Sequence, residues 1–260
     1  MESSEHCFPN EVEEIRKVAK LKDRFRDVRE YSLKLARELS PEDQQVQSMS
    51  DVSPTKWRLA HTTWFFETVL LTRHARGFVL FDERYPFLFN SYYEALGPRQ
   101  ARAQRGLATR PSIEGVHAYR RYVDDAVLEL LDSADDGLLT QIEPVLTLGL
   151  HHEQQHQELI LTDILHAFSC NPLLPAYRQM EAASPPVQSE IEPIKWLRQQ
   201  GGIVKIGHQG PGFSFDNERP HHDVLLRPYD IAHRLVTCGE YAAFIADGGY
   251  KRPELWLSDG

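Results

Sequence analysis

The chain has 260 residues, 29 Lys+Arg against 38 Asp+Glu for a formal net charge of −9, and 41% hydrophobic and 26% charged residues. This is the composition of a globular protein with enough apolar side chains for a sizeable core, and its acidic balance argues against a surface built for nucleic-acid phosphates or anionic lipid. No 18-residue apolar run spans a membrane, and the N-terminal Met-Glu-Ser-Ser-Glu-His lacks a signal-peptide pattern, so the expected compartment is the cytoplasm. The three cysteines, Cys7, Cys170 and Cys238, form no CxxC pair and exclude a disulfide framework or a cysteine zinc site. Histidine, at 12 copies, is the unusual count.

In chain order, Val12, Ile15, Val18, Leu21, Phe25, Val28 and Leu35 recur at helical steps, which predicts an amphipathic helix from about Glu11 to Leu39. Ser40-Pro41-Glu42-Asp43 carries a cap, a proline and an acid, the start signal of a short further helix. Ser53-Pro54 repeats that signal, and Trp57, Ala60, His61, Trp64, Phe65, Thr68 and Leu71 form a stripe running to about Arg76. From Gly77 to Pro111 prolines, glycines, arginines and aromatics lack a steady period, which reads as a long structured loop of the kind that carries function. Further helices are expected from about Ser112 to Leu131 and from about Gly137 to Phe168, the last stopped by Asn171-Pro172. Four long helices with one long crossover imply a mainly α four-helix bundle. Residues 169 to 192 are rich in proline and small polar residues, as in a linker. Gly201 to Gly212 then alternates Ile203, Lys205 and Ile206 among glycines and opens a domain of another class. The expected division is 1–170, a linker 171–194, and 195–260.

The strongest chemical signal is Gly149-Leu-His-His-Glu-Gln-Gln-His-Gln-Glu158. His152 and His156 are four apart and project from one helical face one turn above the other. Leu148, Leu159 and Asp163 share that face, which argues that it points inward, and His61 lies on the inward stripe of the second helix. Three imidazoles inside a bundle are hard to satisfy as spectators, because a buried unpaired ring nitrogen is costly. One divalent metal satisfies all three and leaves positions open for substrate, as in a catalytic site. The bland alternative for His61 alone is a hydrogen-bonded core histidine. His151 and His166 fall off the inward face, and His221 and His222 lie in the second domain; these four are read as non-ligands. His152-Glu153-Gln154-Gln155-His156 also fits the HExxH pattern of zinc proteases, with Glu153 as base. Against that rival, Thr162 stands six residues after His156 and no helix with a third ligand follows.

Pro54-Thr-Lys-Trp-Arg-Leu-Ala-His-Thr-Thr-Trp-Phe-Phe-Glu67 and His152-Glu-Gln-Gln-His-Gln-Glu-Leu-Ile-Leu-Thr-Asp163 resemble the DinB-like domain of the ergothioneine-biosynthesis sulfoxide synthases, the EgtB family. Phe89-Asn-Ser-Tyr-Tyr-Glu-Ala-Leu-Gly-Pro-Arg99 is similar to the family's central loop. Phe215-Asp-Asn-Glu-Arg-Pro-His-His-Asp-Val224, Val236-Thr-Cys-Gly-Glu-Tyr-Ala-Ala-Phe244, Asp247-Gly-Gly-Tyr250 and Trp256-Leu-Ser-Asp-Gly260 resemble the opening of a formylglycine-generating-enzyme-like domain. The resemblance implies a DinB-like bundle followed by the start of an α+β, C-type-lectin-like domain. It implies a non-haem Fe(II) enzyme that uses dioxygen to join a cysteine-type thiol, γ-glutamylcysteine or cysteine, to C2 of hercynine, giving a sulfoxide. His61, His152 and His156 become the iron ligands, Gln155 helps hold hercynine, and Arg99 and Arg102 form the carboxylate clamp for the thiol substrate, which suits the arginine fork. A solvated basic loop is the other reading of those arginines. Members of the family continue past the point where this chain ends, and their proton-donating tyrosine belongs to that later part. None of Tyr229, Tyr241 and Tyr250 matches it, so no catalytic residue is assigned. The resulting expectation is a truncated, poorly folding second domain and a chain that binds iron without full turnover. The rival functions are an ovothiol-type synthase acting on histidine and a DinB-like metal-binding module without oxygen chemistry.

Overall fold

The computed structural model describes residues 9–91, 95, 97–179 and 192–258, the side chains of 9–15 excepted. Two compact units divide the chain, Met1–Glu181 and Ala182–Gly260. The first is a helical bundle and the second carries the described strands. Cys7, the motif residues Tyr92, Tyr93, Glu94, Leu96, Asp259 and Gly260, and half of the expected linker (180–191) lie outside what is described, as do the side chains of Val12 and Ile15.

The first unit is built on α1 (Pro9–Ala36), α2 (Thr55–Phe65), α5 (Ile113–Ser133) and α6 (Asp136–Ser169). Beyond Phe65 the second rod continues through a π-helical segment, Phe66–Leu71, into a last turn, α3 (Thr72–His74). Caps fix two of the starts: the Ser112 side chain accepts from Gly115 N at 3.2 Å, and Asp135 accepts from Leu138 N at 2.8 Å. α1 packs on α6, and α2 packs on both α5 and α6. Phe25, Trp64, Phe65, Phe66, Val123, Ile142 and Leu146 fill the core between them.

The stripe expected of α2 is an understatement, because every residue from Thr55 to Phe65 is buried, Lys56, Arg58, Thr62 and Thr63 included. The crossover after α3 closes the side that would otherwise face water. It is less irregular than its composition suggests, with α4 (Tyr85–Phe89) and a 3₁₀ turn at Arg102–Leu107. Tyr85 and Phe89 pack edge-on to each other at 5.0 Å, and Tyr85 meets Tyr119 of α5 at 4.9 Å. The backbone N of Phe81 donates to buried Glu67 at 2.9 Å, and the Tyr119 hydroxyl donates to the other oxygen at 2.5 Å.

The helix expected after Ser40 does not form. Ser40 and Asp43 satisfy each other as a turn, Asp43 N donating to Ser40 Oγ at 3.1 Å and Ser40 N to Asp43 Oδ2 at 3.0 Å. Buried Gln44 then donates from its side chain back to the carbonyls of Ala36 and Leu39, which caps the end of α1.

In the second unit β1 (Trp196–Gln199) pairs antiparallel with β4 (Tyr229–Ala232), and β2 (Gly202–Ile206) with β3 (His222–Leu226). Its helix α7 (Cys238–Ala246) opens on a capping box between Thr237 and Glu240. Ile203, Leu225, Leu235 and Leu257 are exposed, and every described buried hydrophobic lies between Leu21 and Phe168. Among the described residues, no helix is long and apolar enough to cross a membrane.

Candidate metal centre

His61 from α2 and His152 and His156 from α6 come together, with one ring nitrogen from each inside a group whose members all lie within 4.8 Å of one another. The ring centroids are 5.0 Å apart for His61 and His152, 4.7 Å for His61 and His156, and 4.6 Å for His152 and His156. Nε2 of His156 faces Nε2 of His152 at 3.1 Å. His61 is buried, while His152 and His156 are half-buried.

The sequence expectation for α6 is half met. Leu148 and Leu159, which share the histidine face, are each 38% exposed, so that face is not enclosed along its length. The most deeply buried side of α6 carries instead Leu146, Glu153, Gln157 and Ile160. Two of these are polar, which is why the core stripe does not read as apolar in the sequence.

His61 is fixed from three directions. Its ring lies between Trp57 and Trp64, at 4.6 and 5.4 Å with 14° between planes in each case. Its Nδ1 meets the Phe89 carbonyl oxygen at 2.6 Å. A carbonyl only accepts, so Nδ1 carries the proton and Nε2 keeps its lone pair, the arrangement of a ligating imidazole with a backbone partner. The Trp57 indole donates to Leu88 O at 2.9 Å, and the Arg105 guanidinium covers its other side 3.4 Å from the ring centroid. Arg105 also donates to Ser53 Oγ and Ser91 Oγ, so the crossover and the segment before α2 are clipped to the same column.

His156 has a different neighbour. Arg58 Nη1 lies 3.0 Å from its Nδ1, and the same guanidinium donates through Nε at 2.8 Å and through Nη2 to Asp163 Oδ2, which also accepts from Ser53 N at 3.1 Å. Glu153, between the two α6 histidines in sequence, turns away from them. It is 1% exposed and accepts from Arg29 Nη1 at 2.8 Å, Arg120 Nη2 at 2.9 Å and Ser32 Oγ at 2.6 Å. Burial alone would raise its pKa, but the two guanidinium groups hold it down at about 2. A carboxylate so placed cannot serve as the base of an HExxH protease.

Burial pushes all three imidazoles toward the neutral form. His152 falls to about 4, and His61 and His156 fall well below 6.5, with their imidazole neighbours and Arg58 and Arg105 adding to the effect. Three neutral imidazoles converging on one point, one with its second nitrogen engaged by a backbone carbonyl, fit a divalent transition metal.

A family profile described as the DinB superfamily matches residues 24–160. The chain belongs to the DinB superfamily. A second profile, described as the Sulfatase-modifying factor enzyme 1-like domain, matches residues 183–259. Among curated relatives, a protein named "Hercynine oxygenase" from Mycolicibacterium thermoresistibile is 30% identical over 80% of this chain and 44% of its own length. One of the same name from Mycobacterium tuberculosis is 30% identical over 80% and 46%, and one from Mycolicibacterium smegmatis is 33% identical over 44% and 26%. The chain thus spans less than half the length of the curated relatives it matches. The two domains in this order, with these relatives, make it an EgtB-like member of the DinB superfamily.

The other residues singled out in this DinB-superfamily chain are less concentrated. Arg99 donates from Nη1 to the Ser91 carbonyl and Arg102 from Nη2 to the Asp51 carbonyl, both on the crossover side of α2. Gln155 is exposed on α6. His151 is half-buried, and His166 meets Ser48 Oγ at 2.8 Å, away from the trio. Sequence reasoning missed the parts played by Arg58, Arg105 and Asp163. Arg58 had a usable signal, standing one helical turn before His61 within Trp57-Arg58-Leu59-Ala60-His61.

Proposed function

We propose that this chain carries the metal-binding unit of an ergothioneine-type sulfoxide synthase, in which His61, His152 and His156 hold Fe(II). The observation that carries the reading is the convergence of those three neutral imidazoles, from two helices, in a chain whose relatives are named hercynine oxygenase. Bound Fe(II) would supply the chemistry with dioxygen that joins a cysteine-type thiol to C2 of hercynine as a sulfoxide. The chain's own burial keeps a second proton off the three imidazoles near neutrality, and His61, whose Nδ1 proton is engaged by the Phe89 carbonyl, presents Nε2 as a lone pair. Trp57 and Trp64 hold the His61 ring plane, and the crossover seals α2 from water. We assign Arg99 and Arg102 to the carboxylate of the thiol substrate and Gln155 to hercynine. The domain division 1–170, 171–194 and 195–260 belongs to the same proposal.

Anaerobic titration of the chain with Fe(II) tests this, alongside His61→Ala, His152→Ala and His156→Ala. Each substitution is expected to weaken binding by at least tenfold, and any one that leaves the affinity unchanged removes that residue from the ligand set. Zinc bound far more tightly than Fe(II) would favour a metal-binding module instead.

A further inference from the structure

Trp57 and His61 are four residues apart on α2 and share one of its faces. Both are buried, at 3% and 1% exposure, and both point a donor at the end of α4. The last carbonyls of a helix have no partner inside it, and buried ones left unpaired are costly. At the end of α4 three successive carbonyls are each met from elsewhere. Phe87 O accepts from Gln100 N at 3.1 Å, Leu88 O from Trp57 Nε1 at 2.9 Å, and Phe89 O from His61 Nδ1 at 2.6 Å.

Stacking and hydrogen bonding settle different things about the His61 ring. Trp57 and Trp64 lie on its two faces, each 14° from parallel, and so fix its plane. A plane alone does not fix an imidazole, because half a turn about its last torsion keeps the plane and exchanges Nδ1 with a ring carbon. The Phe89 carbonyl makes that choice. It takes an N–H, so Nδ1 faces it and carries the proton, and Nε2 keeps its lone pair. The carbonyl is in turn placed by Trp57, whose indole N–H holds the preceding peptide at Leu88 while its ring covers the imidazole. The Arg105 guanidinium lies over the indole, 3.4 Å from the ring centroid, and is itself tied to Ser53 and Ser91.

We propose that Trp57 is a positioning residue for His61, which sets the ring plane by its stack and, through Leu88, places the Phe89 carbonyl that selects the Nδ1–H tautomer and leaves Nε2 to the metal. This role rests on the metal-site reading above and adds to it a residue with no direct contact to the metal. Phenylalanine can keep the stack but not the bond to α4, because it has no N–H, and leucine keeps neither.

The test reads the tautomer and the affinity separately. Two-bond proton–nitrogen correlation on the metal-free full chain, isotope-labelled in nitrogen, reports the histidine tautomers, and His61→Ala assigns the His61 signals. Anaerobic titration of the same proteins with Co(II) gives the affinity, and thermal unfolding gives the stability. In wild type, His61 is expected as the Nδ1–H tautomer alone. In Trp57→Phe the Nε2–H form should appear, and more of it in Trp57→Leu, with Co(II) binding about 10- to 100-fold weaker. Trp57→Phe retains a buried aromatic ring, so it keeps the proposal testable where Trp57→Leu fails to fold. A merely structural role would lower the thermal midpoint but leave His61 in the Nδ1–H form, and that outcome overturns the proposal even where the affinity falls. So does an Nε2–H tautomer in wild type, or wild-type affinity in Trp57→Phe. If wild type and His61→Ala bind Co(II) equally, the three-histidine reading fails and the role of Trp57 toward the metal with it. If His61→Ala loses the ion while both Trp57 variants bind it as wild type does, only the positioning role fails.

Discussion

Glu153 lies next to His152 in the chain yet serves a different face of α6. It closes a buried network in which Arg29 reaches across from α1, also donating to Asp124 at 2.7 Å and Thr63 at 2.9 Å, and Arg120 reaches in from α5. Removing the charge leaves two guanidinium groups in the core with one carboxylate fewer between them. Breaking one member of a buried ionic group typically costs about 3–5 kcal/mol. Glu153→Gln is therefore expected to lower the urea midpoint of helix loss by that equivalent, while the three histidines keep their own contacts. An unchanged midpoint would show that the network is not what ties α1, α5 and α6 together. The local pattern around Glu153 spells a protease motif because its true partners are 124 and 33 residues away, beyond the reach of any spacing rule. The histidine pair is legible for the opposite reason: a four-residue separation on one helix is a local fact, and only the third member, His61, needs the fold to bring it in.

At the level of elements, the close approach of the second rod and α6 sets the histidine geometry. Gly149 makes the approach possible, since a Cβ there would lie 2.5 Å from Phe66 Cε1 and 2.8 Å from Phe65 Cε1. Both rings are buried and neither can swing aside. Gly149→Ala forces the helices apart, and overpacking of this kind costs about 1–3 kcal/mol. Thermal unfolding should show the loss, together with weaker metal binding, because His152 is less than one turn further along α6. A variant as stable as wild type would mean that the π-helical segment yields instead. The crossover is held differently, through Arg105 stacked on Trp57 and bonded to Ser53 and Ser91. Arg105→Ala is expected to speed amide hydrogen exchange in residues 97–109 by at least tenfold, with the amides of α5 and α6 unchanged. Equal protection there would assign the crossover's stability to its aromatic contacts alone. The long rods follow from periodicity and caps, so their ends fall within a few residues of the expected ones. The π-helical segment, the short α4 and the turn at Ser40 do not, because each is decided by what packs against it or by a side chain such as Gln44 that reaches back to a helix end.

For the molecule as a whole, the buried polar content of the helical unit makes acid its weak direction. The three imidazoles are held neutral by burial, at about 4 for His152 and well below 6.5 for the other two. In the unfolded chain they titrate near 6.5, so below that pH the unfolded state binds up to three protons that the folded state refuses. Stability rises with pH wherever the unfolded state binds more protons. The metal-free helical unit is therefore at its full stability above about pH 6.5 and loses it progressively below, with an upper limit of about 4 kcal/mol per pH unit while all three groups are out of balance. Glu153 adds a second stage at lower pH. Its folded value near 2 lies below the 4.5 of the free group, so its contribution is complete above 4.5 and is lost as the pH falls toward 2. The helical signal at 222 nm, followed during thermal unfolding of chelator-treated protein, reads mainly the first unit, because α1, α2, α5 and α6 carry most of the described helix. Its midpoint should fall steadily from pH 7 to pH 5. Replacing all three histidines with glutamine should make that interval much shallower, leaving the share of His117 and His151, which burial also holds down, and should leave the decline below pH 4.5, since Glu153 and its two arginines are untouched. A midpoint constant between pH 7 and 5 in the native sequence would mean that the trio takes up protons without leaving the fold, and the convergence of three neutral imidazoles would have to be abandoned.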